Sequence, residues 1–327
     1  MIIVTGGAGF IGSVLVGELN NQGREDIVIV DRLRDTDKWK NLRNLKYADY
    51  IHADELFMPE YADILDNASC IFHIGACSAT TEMDMDFLMK NNVLYSKNLF
   101  QLAVELDIPF IYASSAATYG DGELGYNDDH KEIPSFKPLN PYGYSKQLFD
   151  EWVLKQERHP KCWFGLKFFN VYGPNEYHKG EMRSLVHKAF GQINDTNKVR
   201  LFKSHKEGYE DGKQLRDFIY VKDVVNAMIL MMSPEVCESS GIYNLGTGKA
   251  DSFYNLAVAT FKAMGKEPNI EFFDMPERLR GQYQYFTEAN MDKFKSVFPN
   301  FQFASLEEGV TDYVQNYLLK EDPNYNG

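Results

Sequence analysis

A chain of 327 residues is long enough to bury a large core, and usual domain sizes predict two lobes sharing one cleft. Hydrophobic residues supply 44% and charged residues 25%, the balance of a packed globular protein rather than a disordered or membrane one. With 34 Lys and Arg against 47 Asp and Glu, the formal charge of −13 repels polyanions; it argues against a nucleic-acid groove and requires any phosphate site to be locally basic or built from backbone N–H groups.

Met1 leads directly into the apolar run Ile2, Ile3, Val4, with no basic leader or cleavage site, and no later apolar run approaches the roughly 18 residues of a membrane span. A cytoplasmic protein is expected. The first run reads as a strand, 11–20 as a helix and 27–30 as a second strand. Residues 70–73 and 110–113 read as further strands, with a helix over 87–106 between them. The strands are short and almost continuously apolar, as in a parallel sheet covered on both faces. The stretch 121–141 is a polar loop rich in turn formers, of the kind that carries function, and Pro141 opens a helix over 142–156. Beyond Phe168 and Phe169 the periodicity weakens. The expected fold is therefore α/β: a Rossmann-type parallel sheet with helices on both faces over 1–169, then a smaller α/β substrate-binding lobe over 170–327 with some segments returning to the first domain. The last residues, 322–327, are polar and expected to fray. Cys70, Cys77, Cys162 and Cys237 are too few for a disulfide framework and contain no C-x-x-C pair to suggest zinc, so they read as reduced packing residues and no metal is expected.

Thr5-Gly6-Gly7-Ala8-Gly9-Phe10-Ile11-Gly12 follows the first strand and opens the first helix, so Gly7, Gly9 and Gly12 meet G-x-G-x-x-G in the required context. Glycine permits a tight turn and close approach to a pyrophosphate, while the helix N-terminus offers unpaired N–H groups. Asp31 ends the second strand, where an acid binds the adenosine ribose. Arg32, Arg34 and Lys38 come directly after it and can neutralise a ribose 2′-phosphate, which favours NADP over NAD.

Tyr142 and Lys146 stand four apart at the start of a predicted helix, on one face. A neighbouring ammonium lowers the pKa of a phenol, giving a group that can take or return a hydroxyl proton during hydride transfer. Ser114 and Ser115 come after the strand at 110–113, at the carboxyl edge where ligands of open α/β folds bind, and can hold a substrate hydroxyl or carbonyl. Tyr144 has Leu148 at the same spacing and is a decoy.

T-G-x-x-G-x-x-G, Ser114-Ser115-Ala116 ahead of Tyr119-Gly120, Y-x-x-x-K, Asn170-Val171-Tyr172-Gly173-Pro174, Arg216-Asp217-Phe218 and Tyr243-Asn244-Leu245-Gly246 together resemble the extended short-chain dehydrogenase/reductase family of nucleotide-sugar enzymes. Within it, Gly75-Ala76-Cys77-Ser78 with Thr80, Thr81 and Glu82, Tyr177-His178-Lys179-Gly180 and Gly281-Gln282-Tyr283-Gln284 resemble the branch that inverts C6 of an ADP-heptose for the inner core of lipopolysaccharide. That resemblance implies tightly bound NADP, a homo-oligomer, and transient oxidation of C6 before the hydride returns to the other face. It gives Tyr142 and Lys179 the proton handling for the two epimers, Lys146 the tuning of the tyrosine, and Ser115 the reacting oxygen. It places Gly6, Gly9, Phe10, Ile11, Gly12, Asp31, Arg32, Lys38, Gly75, Ala76, Cys77, Ser78, Asn92, Tyr142, Lys146, Val171 and Lys179 on the cofactor. Ser115, Asn170, Glu181, Lys188, Phe202, Lys203, Ser204, His205, Arg216 and Tyr283 fall on the substrate. Arg216 also has an independent rationale, since a guanidinium grips a diphosphate bidentately.

Glu181 and Lys188 depart from the family's usual residues, and the loop 206–214 is long. A rival within the family is a C4 epimerase of UDP-hexoses, which shares the Ser, Tyr and Lys set. Dehydratases place an Asp-Glu pair where this chain has Ala116-Ala117. A non-catalytic dinucleotide sensor has no need of the Tyr142 and Lys146 retained here.

Overall fold

In a computed structural model, the structure describes residues 1–280 and 284–325. Thirteen strands are present among them: β1 (Ile2–Thr5), β2 (Ile27–Asp31), β3 (Asp49–His52), β4 (Cys70–His73), β5 (Phe110–Ser115), β6 (Trp163–Phe168), β7 (Asn170–Tyr172), β8 (Val199–Phe202), β9 (Leu215–Arg216), β10 (Phe218–Tyr220), β11 (Gly241–Leu245), β12 (Asp251–Ser252) and β13 (Ile270–Phe273). Seven form one sheet in the order β11-β6-β5-β4-β1-β2-β3, every pair parallel. β1, β2 and β4 are buried throughout, the consequence of helices covering both faces.

The chain runs from β1 outward through β2 and β3, then crosses to β4 on the other side of β1. That reversal opens a crevice at the carboxyl ends of β1 and β4, where ligands of open α/β sheets bind. The backbones close on one another there: a Cβ on Gly6, at φ +69°, would lie 2.7 Å from Cα of Gly75. β3 and β6, absent from the periodicity reading, extend the sheet on its two sides, and β11 returns from late in the chain to pair with β6.

A second apolar cluster of Ala189, Ile193, Val199, Leu201, Ala257 and Phe261 lies between the helices Leu185–Thr196 and Phe253–Ala263 and the parallel pair β8 and β13. It is the core of a smaller lobe, which the β9/β12 pair carrying Arg216 adjoins.

The predicted helix over 87–106 is observed in three stretches, α-helical at Met85–Leu88, π-helical at Met89–Leu94 and α-helical again at Tyr95–Leu106. A π-turn inserts one residue and rotates the helix beyond it, a device common at functional sites. Asn92 sits within it and is fully buried. The tail does not fray as expected: Asn324 and Tyr325 are both 6% exposed and hydrogen-bonded to residues near the front of the chain, while 326–327 lie outside the described residues. A tail rich in polar residues looks solvated in sequence because its partners are some 300 residues away.

All four cysteines are free thiols. No helix among the described residues is long and apolar enough to cross a membrane, and none of their His, Cys, Asp and Glu side chains cluster in groups able to hold a metal ion.

Burial depresses His73 to about 3 and His130, His178 and His187 to about 4. Between pH 7 and 5.5 the unfolded chain takes up protons at these sites that the folded chain refuses, so the contribution of these histidines to stability falls as pH falls. His73 alone, bonded by its ring nitrogens to Thr5 and Ser96 at 2.7 Å each, should cost about 1 kcal/mol over that interval. Thermal unfolding at both pH values checks this: Tm should be lower at pH 5.5, and less so in His73→Asn.

Candidate active site

The glycine turn is held by backbone bonds from Gly6 N–H to Val30 and from Gly9 N–H to the Gly6 carbonyl, 2.7 and 2.9 Å. A Cβ on Gly12 would lie 2.2 Å from the Gly6 carbonyl oxygen, so only glycine permits the turn. Helix Phe10–Asn21 starts at Gly9 with no side-chain cap and no acid in its first turn, leaving its N–H groups to an anion. Gly6, Gly9 and Ile11 stay partly exposed around it. These features fit a dinucleotide pyrophosphate.

Asp31 is nearly buried, and its carboxylate accepts from Ala8 N–H at 2.9 Å, Arg32 N–H at 2.6 Å and Lys38 Nζ at 2.7 Å. It thereby ties the glycine turn to the turn Asp37–Leu42 that carries Lys38. Arg32 pairs with Asp54 at 2.5 Å. Two of the three cations predicted for a 2′-phosphate, Arg32 and Lys38, therefore stand beside Asp31, each matched to an acid, while Arg34 is exposed.

Asn92, rotated inward by the π-turn, uses its whole amide. It accepts from Cys77 N–H at 2.9 Å and donates to the Cys77 carbonyl and Ser145 Oγ, both at 3.0 Å. The loop Gly75, Ala76, Cys77, Ser78 is thus fixed to helix Pro141–Leu154, and Ser78 faces outward. That helix begins at Asn140, whose side chain accepts from Gly143 N–H at 2.8 Å, with Pro141 in its first turn. Tyr142 and Lys146 consequently point inward, while Tyr144 is 48% exposed.

Ser115 ends β5, accepts from Ala117 N–H at 3.1 Å and hydrogen-bonds the Tyr142 phenol. The Tyr142 pKa is raised, not lowered by Lys146 as expected. Burial raises the phenol, the Ser115 bond is what draws it back, and Lys146 Nζ is spent on the Ala113 carbonyl at 3.0 Å. Lys146 is itself pushed down to about 8 by burial, against which Asp150 pulls it up.

Sequence reading missed the group behind this set. Asp150, one helical turn beyond Lys146, is fully buried and accepts from Lys167 Nζ and Ser114 Oγ at 2.7 Å each and from the Tyr112 hydroxyl at 3.0 Å. Lys167, equally buried on β6, also donates to Thr118 Oγ1 at 2.8 Å. The repeat Tyr142, Lys146, Asp150 at four-residue spacing was the available signal.

Lys179 lies on the short helical turn Tyr177–Met182, its ammonium 5.1 Å from the Phe10 ring centroid. The turn is bracketed by Glu176, which accepts from Ser184 N–H and Oγ at 2.5 Å each and from the Tyr313 hydroxyl at 3.0 Å. Burial lowers the Lys179 pKa, opposed by Glu176. Lys179 is thereby seated on the glycine turn.

The remaining predicted residues belong to the smaller lobe or its border. Arg216 is buried, donates to the Leu215 carbonyl at 2.8 Å and to the Gln284 carbonyl, and lies 5.5 Å from the Phe253 ring. Gln284 donates in turn to the Gly120 carbonyl, joining this lobe to the loop after Ser115. Phe202 packs on Phe273 at 4.9 Å, Lys203 pairs with Asp274 at 3.6 Å, Ser204 N–H donates to Asp211 at 2.8 Å, and His205 N–H donates to the Tyr285 hydroxyl at 3.1 Å. Asn170 is exposed on β7, with Val171 half-buried beside it. Glu181 is exposed, and Lys188 donates to its carbonyl at 2.5 Å. Tyr283 lies outside the described residues.

A parallel sheet with a dinucleotide turn at its switch point, and a Ser, Tyr and Lys set on the adjoining strand and helix, defines a nicotinamide-dependent enzyme of the short-chain dehydrogenase type. The chain belongs to the NAD dependent epimerase/dehydratase family, which its residues 2–246 match. It is 54% identical to the ADP-L-glycero-D-manno-heptose-6-epimerase of Fusobacterium nucleatum, over 98% of this chain and 99% of that one. The protein of that name from Nitratidesulfovibrio vulgaris strain DP4 is also 54% identical, over 99% of both chains. Among solved structures, the ADP-L-glycero-D-manno-heptose-6-epimerase of Helicobacter pylori superposes with a TM-score of 0.80 at 30% identity, covering 96% of this chain and 95% of that one.

Proposed function

We propose that the protein is an isomerase that inverts C6 of the heptose in ADP-D-glycero-β-D-manno-heptose to give the L-glycero epimer, with NADP held throughout the cycle, for lipopolysaccharide inner-core synthesis. The observations that support this reading are the Ser115, Tyr142 and Lys146 set on β5 and the adjoining helix, and, separately, the seating of Lys179 over Phe10 of the glycine turn. Identity of 54% over almost the whole chain to two enzymes named for this reaction supports it.

A dinucleotide held by the glycine turn, Asp31, Lys38 and the loop 75–78 would supply reversible hydride transfer at C6, with no net redox over the cycle. Ser115 orients the C6 oxygen. Tyr142 exchanges the hydroxyl proton for one epimer and Lys179 for the other, because the oxygen stands on different sides in the two. Burial favours the phenol and disfavours the Lys179 ammonium, which biases Tyr142 toward giving a proton and Lys179 toward taking one. Burial sets the resting state of Tyr142 as a phenol, and Lys146, about 8 in pKa and so cationic at neutral pH, supports the negative charge that arises on it only in transit. Arg216 and the Phe202 to His205 strand end hold the ADP moiety, and the active unit is a homo-oligomer.

NADP is favoured over NAD because Lys38 and Arg32 flank Asp31. Lys38→Ala should weaken NADP⁺ binding to dinucleotide-free protein by about tenfold, the worth of one charge-assisted hydrogen bond, with little change for NAD⁺. Calorimetric titration with each dinucleotide checks this; equal loss for both would refer Lys38 to Asp31 and the glycine turn instead.

The decisive experiment is NMR of the purified protein mixed with ADP-D-glycero-D-manno-heptose and no added cofactor. Appearance of the L-glycero epimer to equilibrium supports the reaction and its closed redox cycle. Absence of turnover even with added NADP⁺ rejects the heptose substrate.

A further inference from the structure

Asn175 is fully buried and held at φ +72°, a left-handed conformation uncommon for any residue but glycine. Its side chain and backbone join four segments far apart in sequence. Nδ2 donates to Ser13 Oγ at 2.9 Å, and Ser13 donates to the Gly9 carbonyl at 2.6 Å, reaching the glycine turn. Its carbonyl accepts from Asn41 Nδ2 at 3.3 Å, and Asn41 also donates to the Ala8 carbonyl at 3.0 Å, reaching the turn that carries Lys38. Four residues on stands Lys179. Oδ1 accepts from Tyr325 N–H at 2.8 Å, reaching the tail.

The tail segment is bound along its length. Asp322 pairs with Arg43 at 3.2 Å, the Pro323 carbonyl accepts from Tyr177 at 2.6 Å, and Asn324 Nδ2 donates to the Lys40 carbonyl at 3.3 Å. The Tyr325 hydroxyl bonds Glu18 and accepts from Asn21 at 3.0 Å, both at the far end of the first helix. One short segment therefore spans the first helix, the Asp37–Leu42 turn and the Lys179 turn. Resting on the reading of a bound dinucleotide, we propose that Asn175 and the tail seated on it through Tyr325 are positioning residues that fix these three walls to one another and thereby govern how long the dinucleotide is held. None of them need touch it. The node acts through the carbonyls of Ala8 and Gly9, whose placement sets where the N–H groups of the turn point, and through the base of the turn that presents Lys179. An epimerase returning its own hydride needs slow release of cofactor, and the arrangement supplies it without closing the substrate side.

Asn175→Gly keeps the left-handed backbone accessible while removing the side-chain bonds to Ser13 and Tyr325; Tyr325→Phe, a milder change, removes only the hydroxyl bonds. Both proteins are passed through a desalting column, and dinucleotide per chain is read from absorbance and its release rate from NADPH fluorescence. Asn175→Gly should release dinucleotide about tenfold faster and Tyr325→Phe measurably faster. Epimerisation by Asn175→Gly should become dependent on added NADP⁺ and recover its kcat at saturation. Retention at the wild-type level in Asn175→Gly overturns the inference. So does a loss of activity that added NADP⁺ does not restore, the mark of a merely structural role. A wild-type chain that carries and binds no nicotinamide dinucleotide instead overturns the proposed function, and this inference with it.

Discussion

Tyr142→Phe is expected to lower kcat for epimerisation by about 10³-fold, within the range of general acid–base catalysis by one positioned group, while leaving the fold and bound dinucleotide intact. The substitution removes one oxygen whose protein partner is Ser115, so no buried hydrogen-bond network collapses with it. Tm and dinucleotide per chain should match the wild type, and the NMR assay should show equilibration slowed to days. Retained turnover would assign the proton to another group, and joint loss of Tm and cofactor would make the effect structural. Tyr144→Phe, exposed on the other side of the same helix, serves as the control.

Asp150→Asn should be the most damaging single change to stability. Asp150 and Lys167 are both wholly inaccessible, and removing one charge leaves the other buried and unpaired, typically a loss of about 3–5 kcal/mol. Denaturant unfolding checks this magnitude. The same change reaches the chemistry, because Asp150 is what opposes the burial that pulls Lys146 down to about 8. Without it the Lys146 pKa falls further, so the alkaline limb of the rate profile should move to lower pH. The titratable groups around Lys146 and Asp150 include Tyr142 on the same helix and, from neighbouring elements, His73, Cys77, Tyr112, Tyr119, His130 and Lys167; His73 is neutral throughout the working range, and Lys167 acts in the same direction once its partner is lost. The double change Asp150→Leu with Lys167→Met, which removes both charges, should recover much of the stability and leave the profile shifted. An unshifted profile in a folded variant would separate Asp150 from Lys146.

The dinucleotide half of the site was legible because its chemistry is local. A glycine turn between a strand and a helix, an acid at the end of the next strand and a Tyr-x-x-x-Lys pair on one helical face are all set by spacing and backbone geometry. The two strands missing from the periodicity reading fail for distinct reasons. In β3, Asp49 and His52 break the apolar run because its exposed edge lies at the margin of the sheet. In β6, Lys167 reads as solvent-facing although it is fully buried. A charge can be buried there only because Asp150 arrives from another element, and no single segment reveals that.

From residue order alone, then, came the parallel sheet, the glycine turn, the Tyr142 and Lys146 pair and the class of chemistry, since each rests on neighbours within a few residues. Packing supplied the rest: the burial that raises Tyr142 where Lys146 was expected to lower it, the seating of Lys179 against Phe10, the ion pair of Asp150 with Lys167, and the tail bound to Asn175. Each of these depends on desolvation or on a partner brought close by the fold, quantities that have no expression along the chain.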